Sequence, residues 1–296
     1  MNHWANLLFL AVFLSQIFVS SWFFPRLILQ RLEKLRTDYP PQDYPKLYPG
    51  SMEAYAACQR LFRWSSLVLF ALGFVFLYCA LVLDGGSSSA DGHISEVWPA
   101  VYGVLQFIPL ALLELLGFRQ FRLMRQTNRD SRRKADLSPR RLFDFVSPAL
   151  LALTVALMLA VIGLALYMHD FVVIWRSDAV QQSLVMLATN MALLLVGLWQ
   201  LYGRKLDPYQ ASSDRRRQIH AQLTSLLLIS CALSLFLLWQ SAGDAFALHA
   251  LDAVAMSLYF QIIVALSLGL VMRSQRIEDI DFEVYAASPS PEKNHG

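Results

Sequence analysis

SPALLALTVALMLAVIGLALYM (147–168) runs for 22 residues without an Asp, Glu, Lys, Arg or His. As a helix rising 1.5 Å per residue it spans about 33 Å, enough to cross a hydrocarbon layer of about 30 Å. No water in that layer is available to backbone N–H and C=O groups, so the run must satisfy them internally as a helix. A strand of a membrane barrel would alternate polarity at every second residue, and this stretch does not.

Six other stretches read the same way: 5–24, 65–83, 98–117, 181–201, 221–240 and 253–272. Within all seven, Glu114 is the one Asp, Glu, Lys or Arg. Tryptophan favours the membrane interface because its ring is apolar and its N–H needs a partner. Trp4, Trp22, Trp64, Trp98, Trp199 and Trp239 each fall within two residues of a span end.

Composition agrees with this reading. Of 296 residues, 56% are apolar and 16% charged, and mean hydropathy is +0.43. Soluble domains sit at about 45–50% apolar and about 25% charged. Three cysteines, Cys58, Cys79 and Cys231, form no disulfide framework, and the apolar content excludes a disordered chain.

Short cytoplasmic loops retain Lys and Arg, so their distribution orients the chain. Segments 25–64, 118–146, 202–220 and 273–296 hold seven, nine, five and three of them. The connections between hold only Arg176. The expected fold is an all-α, seven-helix membrane bundle, one lone helix followed by three hairpins. Its amino terminus is outside and its carboxyl terminus cytoplasmic. Residues 1–284 form the membrane domain, and the small, polar, Pro-containing segment 285–296 is a disordered cytoplasmic tail. The expected location is a bacterial cytoplasmic (inner) membrane.

The inner segments differ in kind. RLILQRLEKLR (26–36) spaces Ile28, Leu32 and Leu35 helically among basic residues, which suits a helix at the membrane surface. TDYPPQDYPKLYP (37–49) repeats Tyr-Pro three times and is expected to turn or extend, since a proline biases its predecessor away from helix. Segment 118–141 is expected to prolong the third helix through Phe118, Phe121 and Met124 before becoming a basic run.

Few residues within the spans carry chemistry. Glu114, about one turn from the cytoplasmic end, fits either an ion pair with Arg140, Arg141 or Arg204 or a proton- or cation-coupled role. Gln16, Gln106, Asn190 and Gln261 lie near the midpoints of spans one, three, five and seven. Amides at that depth serve as hydrogen-bonding glue between helices. Were all four to converge, they would form a pocket for a small neutral or zwitterionic solute.

His93, His169 and His249 are weak metal candidates at the outer side, each near a carboxylate but without ligand-type spacing. No metal and no cofactor is expected. No H-E-x-x-H, P-loop, G-x-S-x-G or span lysine for a Schiff base occurs, so no catalytic residue is assigned.

Arg119, Arg122, Arg125, Arg129, Arg132, Arg133, Lys134, Arg140 and Arg141 form a basic surface suited to anionic lipid headgroups or to a membrane or cytoplasmic protein partner. Nucleic acid is not an expected partner, because aromatic interleaving stops at Phe121. The function expected from these features is an assembly, scaffold or regulatory subunit. The alternative is a small-solute transporter using the amides and Glu114.

Overall fold

The uncharged runs fold as they must in a medium without water. In the computed structural model the chain is helical, with no strand among the described residues, which are 3–84, 94–127, 141–168, 171, 178–203, 205–246 and 248–287. Seven helices are long and apolar enough to cross a membrane: α1 (Trp4–Asp38), α2 (Met52–Asp84), α3 (Val97–Thr127), α4 (Pro148–Met168), α5 (Ser183–Tyr202), α6 (Ser212–Gly243) and α7 (His249–Ser274). Large apolar side chains at mid-helix stand outward, with Leu159 63%, Leu194 51% and Leu195 58% exposed. Their number and continuity fit an apolar surrounding rather than water.

Packing divides the bundle. α1 lies against α2 and α7, and α3 against the same two helices. α4 and α5 pack on each other and on α6, and α6 in turn packs on α7. The first group buries Phe9, Phe13 and Ile17 of α1 with Leu69 and Leu77 of α2, Tyr102 of α3 and Val254 of α7. The second buries Val161, Met186 and Leu237 from α4, α5 and α6.

On α1, Ala5, Phe9, Phe13, Ile17 and Ser20 recur at three- or four-residue spacing and are all buried, which makes one inward stripe on an otherwise uniform apolar cylinder. Two close crossings depend on glycine. A Cβ on Gly73 would sit 2.7 Å from Ile17, and one on Gly103 would sit 2.3 Å from the Phe260 ring.

The helices are not regular throughout. Among the described residues there are three wide π-turns, at Val19–Phe23, Ala80–Asp84 and Ala265–Gly269. The first ends two residues before Pro25, whose ring and missing N–H disturb the preceding turn. The segment 26–36, expected as a separate surface helix, is therefore the continuation of α1 to Asp38. Leu266, in the third π-turn, has a carbonyl that accepts from Ser225 Oγ of α6 at 3.0 Å. α3 breaks at Gln106 and Phe107, just ahead of Pro109, and resumes at Ile108.

Beyond the membrane helices the chain folds a compact cap. Residues 39–50 turn tightly, as their prolines require, and carry Tyr39, Tyr44 and Leu47 into a cluster with Ile277, Phe282, Tyr285 and Tyr209. Tyr285, expected to open a disordered tail, is instead 5% exposed and packed in this cluster. Ala287 N–H donates to Asp43 O at 3.0 Å, so the ordered chain reaches at least that far. Residues 288–296 lie outside the described residues.

Candidate functional site

Three polar assemblies stand out against the apolar bundle. The first lies between α1, α3 and α7. Gln16 Nε2 donates to Gln106 Oε1 at 3.3 Å, and Gln16 Oε1 accepts from Ser257 Oγ at 2.7 Å. Further along α1, Ser21 and the Tyr102 hydroxyl share a bond of 2.6 Å, and Ser20 Oγ donates to Gln16 O at 2.6 Å. Gln16, Ser257 and Tyr102 are fully buried. One turn along α7, Gln261 Nε2 donates to Val12 O at 3.0 Å and Gln261 Oε1 accepts from Ser15 at 3.0 Å.

The break in α3 explains the position of Gln106. Its own N–H still reaches Tyr102 O at 2.9 Å, but the altered turn aims its side chain at α1. Gln16 and Gln106 bond to each other and Gln261 to α1, while Gln106 Nε2 is buried without a hydrogen-bond partner among the described residues.

Asn190 does not join them. It sits in the other half of the bundle, accepting from Ser230 of α6 and donating to Met186 O at 3.0 Å. The four midpoint amides therefore do not meet in one pocket, the alternative to their serving as glue between helices. Depth is set by sequence position, but the facing helix is set by packing, and α5 packs on α4 and α6.

The second assembly is a half-open cavity of about 330 Å³ at the opposite end of α3 from Trp98, between α3, α5, the loop after α5 and the start of α6. Glu114 lines it, together with Gln200, Lys205, Asp207 and Arg215. Glu114 is exposed and makes no hydrogen bond or ion pair among the described residues. The expected pair with Arg141 does not form: Arg141 caps the turn 142–144, its N–H donating to Asp144 Oδ2 at 3.3 Å. Arg140 and Arg204 lie outside the described residues.

Burial pushes the Lys205 ammonium below its ordinary range, Arg215 adds to that fall and Asp207 opposes it. Lys205 Nζ reaches the Pro208 carbonyl at 3.4 Å. Arg215 is held by the Gly203 carbonyl at 2.6 Å, and Gln210 Nε2 donates to Gln218 Oε1 at 2.7 Å, which fixes one wall. Gln200 Oε1 is buried without a hydrogen-bond partner among the described residues.

The third assembly is the polar frame of the cap. Asp207 Oδ2 accepts from the Tyr285 hydroxyl at 2.5 Å, and Asp207 Oδ1 from Tyr209 N–H at 2.9 Å. Asp214, 7% exposed, accepts from Arg217 at 2.6 Å and from Asp281 N–H at 3.0 Å. Arg217 also donates to the Asp279 carbonyl, and Lys34 pairs with Glu278. The acidic strip 278–283 was missed as an anchor by sequence reasoning, although its charges complement Lys34 and Arg217.

α3 braces this frame. Gln120 Nε2 donates to Leu47 O at 3.1 Å, and Arg125 to the Lys205 and Leu206 carbonyls at 2.8 and 3.2 Å. Arg119 and Arg122, on the same helix end, are exposed, as is Arg141. Of the expected basic surface, Arg129, Arg132, Arg133, Lys134 and Arg140 lie outside the described residues. So do the metal candidates His93 and His169. His249 Nδ1 lies 3.3 Å from Asp252 Oδ2, and no group of three possible ligands occurs among the described residues.

Seven long apolar helices define the class: the chain is a multi-pass membrane protein. Compared with protein-family models, with curated proteins and with solved structures, it matches none.

Proposed function

We propose that this chain is a non-enzymatic membrane subunit that engages a partner protein or anionic lipid through its cytoplasmic face. Its amino terminus is then outside and its carboxyl terminus inside, in a bacterial cytoplasmic membrane, as the Lys and Arg distribution favours. The observation carrying the reading is the cap. Segments 39–50, 205–218 and 275–287, distant in sequence, fold together and are braced by α3, leaving Arg119 and Arg122 exposed on the brace. A rigid extramembrane surface is what recognition requires, since little ordering cost is then left for binding.

The transporter alternative draws less support. Gln16 is bonded to Gln106 and Ser257, and Gln261 to α1, while Glu114 opens into a different space.

Photo-crosslinking in native membranes tests the reading. A photoreactive residue at Asp43 or Arg122 is expected to give one discrete protein or lipid adduct, and the same residue at lipid-facing Leu195 only a heterogeneous mixture of bulk-lipid adducts. Identical adduct patterns at all three positions would overturn it.

A further inference from the structure

The cavity that holds Glu114 is separate from the buried amides and borders the cap, with which it shares Asp207. Its volume, about 330 Å³, is at the small end of ligand sites, which run about 300–1,000 Å³. That suits a headgroup-sized molecule rather than a nucleotide.

Its walls carry both signs of charge, and the acceptor side has unspent capacity. On the acceptor side are Glu114, with no ion pair among the described residues, and the orphaned Gln200 Oε1. A buried acceptor without a partner is costly, and a ligand donor removes that cost. On the donor side are Lys205 and Arg215, partly buried and tethered to backbone carbonyls. Phe118 and Trp199 form an exposed aromatic rim, 40% and 58% accessible, at the depth where amphipathic rings meet headgroups.

We propose that this cavity binds a primary ammonium–phosphate zwitterion, the chemistry of a phosphoethanolamine group. The ammonium is taken by Glu114 and Gln200 Oε1, and the phosphate by Lys205 and Arg215. A primary ammonium donates three hydrogen bonds, which the two acceptors use; a quaternary ammonium donates none. A purely anionic group gains from the cations but is opposed by Glu114. The same chemistry occurs on a lipid and as a free solute, and the experiment separates the two.

The full-length protein in dodecyl maltoside micelles is exposed to equal amounts of dioleoyl phosphatidylethanolamine, phosphatidylcholine and phosphatidylglycerol, and retained lipid is read by native mass spectrometry. Phosphatidylethanolamine is expected to dominate. Glu114→Gln should weaken its retention about tenfold, the value of one charge-assisted hydrogen bond. Gln200→Leu, which changes no charge, should weaken it several-fold, and Glu33→Gln, the same charge change outside the cavity, should leave it intact. Calorimetric titration with O-phosphoethanolamine assigns the source: binding that displaces the lipid points to a soluble zwitterion, and lipid binding alone to the bilayer. Equal retention of the three lipids with no O-phosphoethanolamine binding, or parental retention by both cavity variants, overturns the proposal.

Discussion

The Tyr285 hydroxyl donates to Asp207 Oδ2 at 2.5 Å, joining the segment 275–287 to the loop between α5 and α6. Both groups lie outside the membrane spans, and the tyrosine is buried among the aromatic residues of the cap.

Loss of this bond should loosen the cap without disturbing the bundle. Tyr285→Phe keeps the ring but leaves Asp207 one donor short, at a cost of about 1.5–3 kcal/mol for a bond to a charged group. Limited proteolysis should then cut within 275–287 faster, while fragments protecting α1 to α6 persist.

The same pair sets an alkaline limit. Burial, followed by the Asp207 charge, raises the Tyr285 phenol above its ordinary value of 10.0. The folded state therefore holds the proton more tightly than the unfolded chain. Its stabilisation is present in full below pH 10 and declines as pH climbs past that value. Protease protection of 275–287 should fall above pH 10, and Tyr285→Phe should flatten the dependence.

Gln16 is the hub of the buried amide network, so its partners should be energetically coupled. A double-mutant cycle with Gln16→Ala and Ser257→Ala, followed by unfolding in detergent, should give a coupling of about 0.6–2 kcal/mol. A value near zero would mean that the two helices gain nothing from the bond.

Gly103 admits the Phe260 ring at the α3–α7 crossing. Gly103→Val should destabilise the bundle by about 1–3 kcal/mol through overpacking. Combining it with Phe260→Ala should recover part of the loss, and thermal unfolding of the four proteins reads the effect.

Orientation is tested by reporters fused after Asp84 and after Thr127. Activity on opposite sides of the membrane is expected, with the Thr127 fusion cytoplasmic. Emergence on one common side would remove the expected topology.

The spans were legible because charge-free length is a local property. Which face of each helix turns inward was not, since hydropathy is nearly uniform around α4 or α7, and the inward stripe of α1 differs from its outward face mainly in Gln16, Ser20 and the shape of its side chains. Depth placed Gln16 and Asn190 alike, yet packing put them in different halves of the bundle. The cap was hidden for another reason. Tyr-Pro repeats and IEDIDFEVY read as polar connections when taken singly, and only their union gives Tyr39 and Phe282 a ring contact of 3.9 Å between centroids. The Glu114 cavity was half visible: the residue was evident from its charge, whereas Gln200 and Lys205 acquire meaning only once α5 and its loop are placed beside α3.

The attachment of α7 to α1 and α3 bears on biogenesis. Three helices inserted first must wait in the bilayer, their shared core incomplete, until the last one leaves the ribosome. During that interval Gln16 and Gln106 face lipid or each other without Ser257, so nascent chains halted before α7 should be the species that membrane quality control removes.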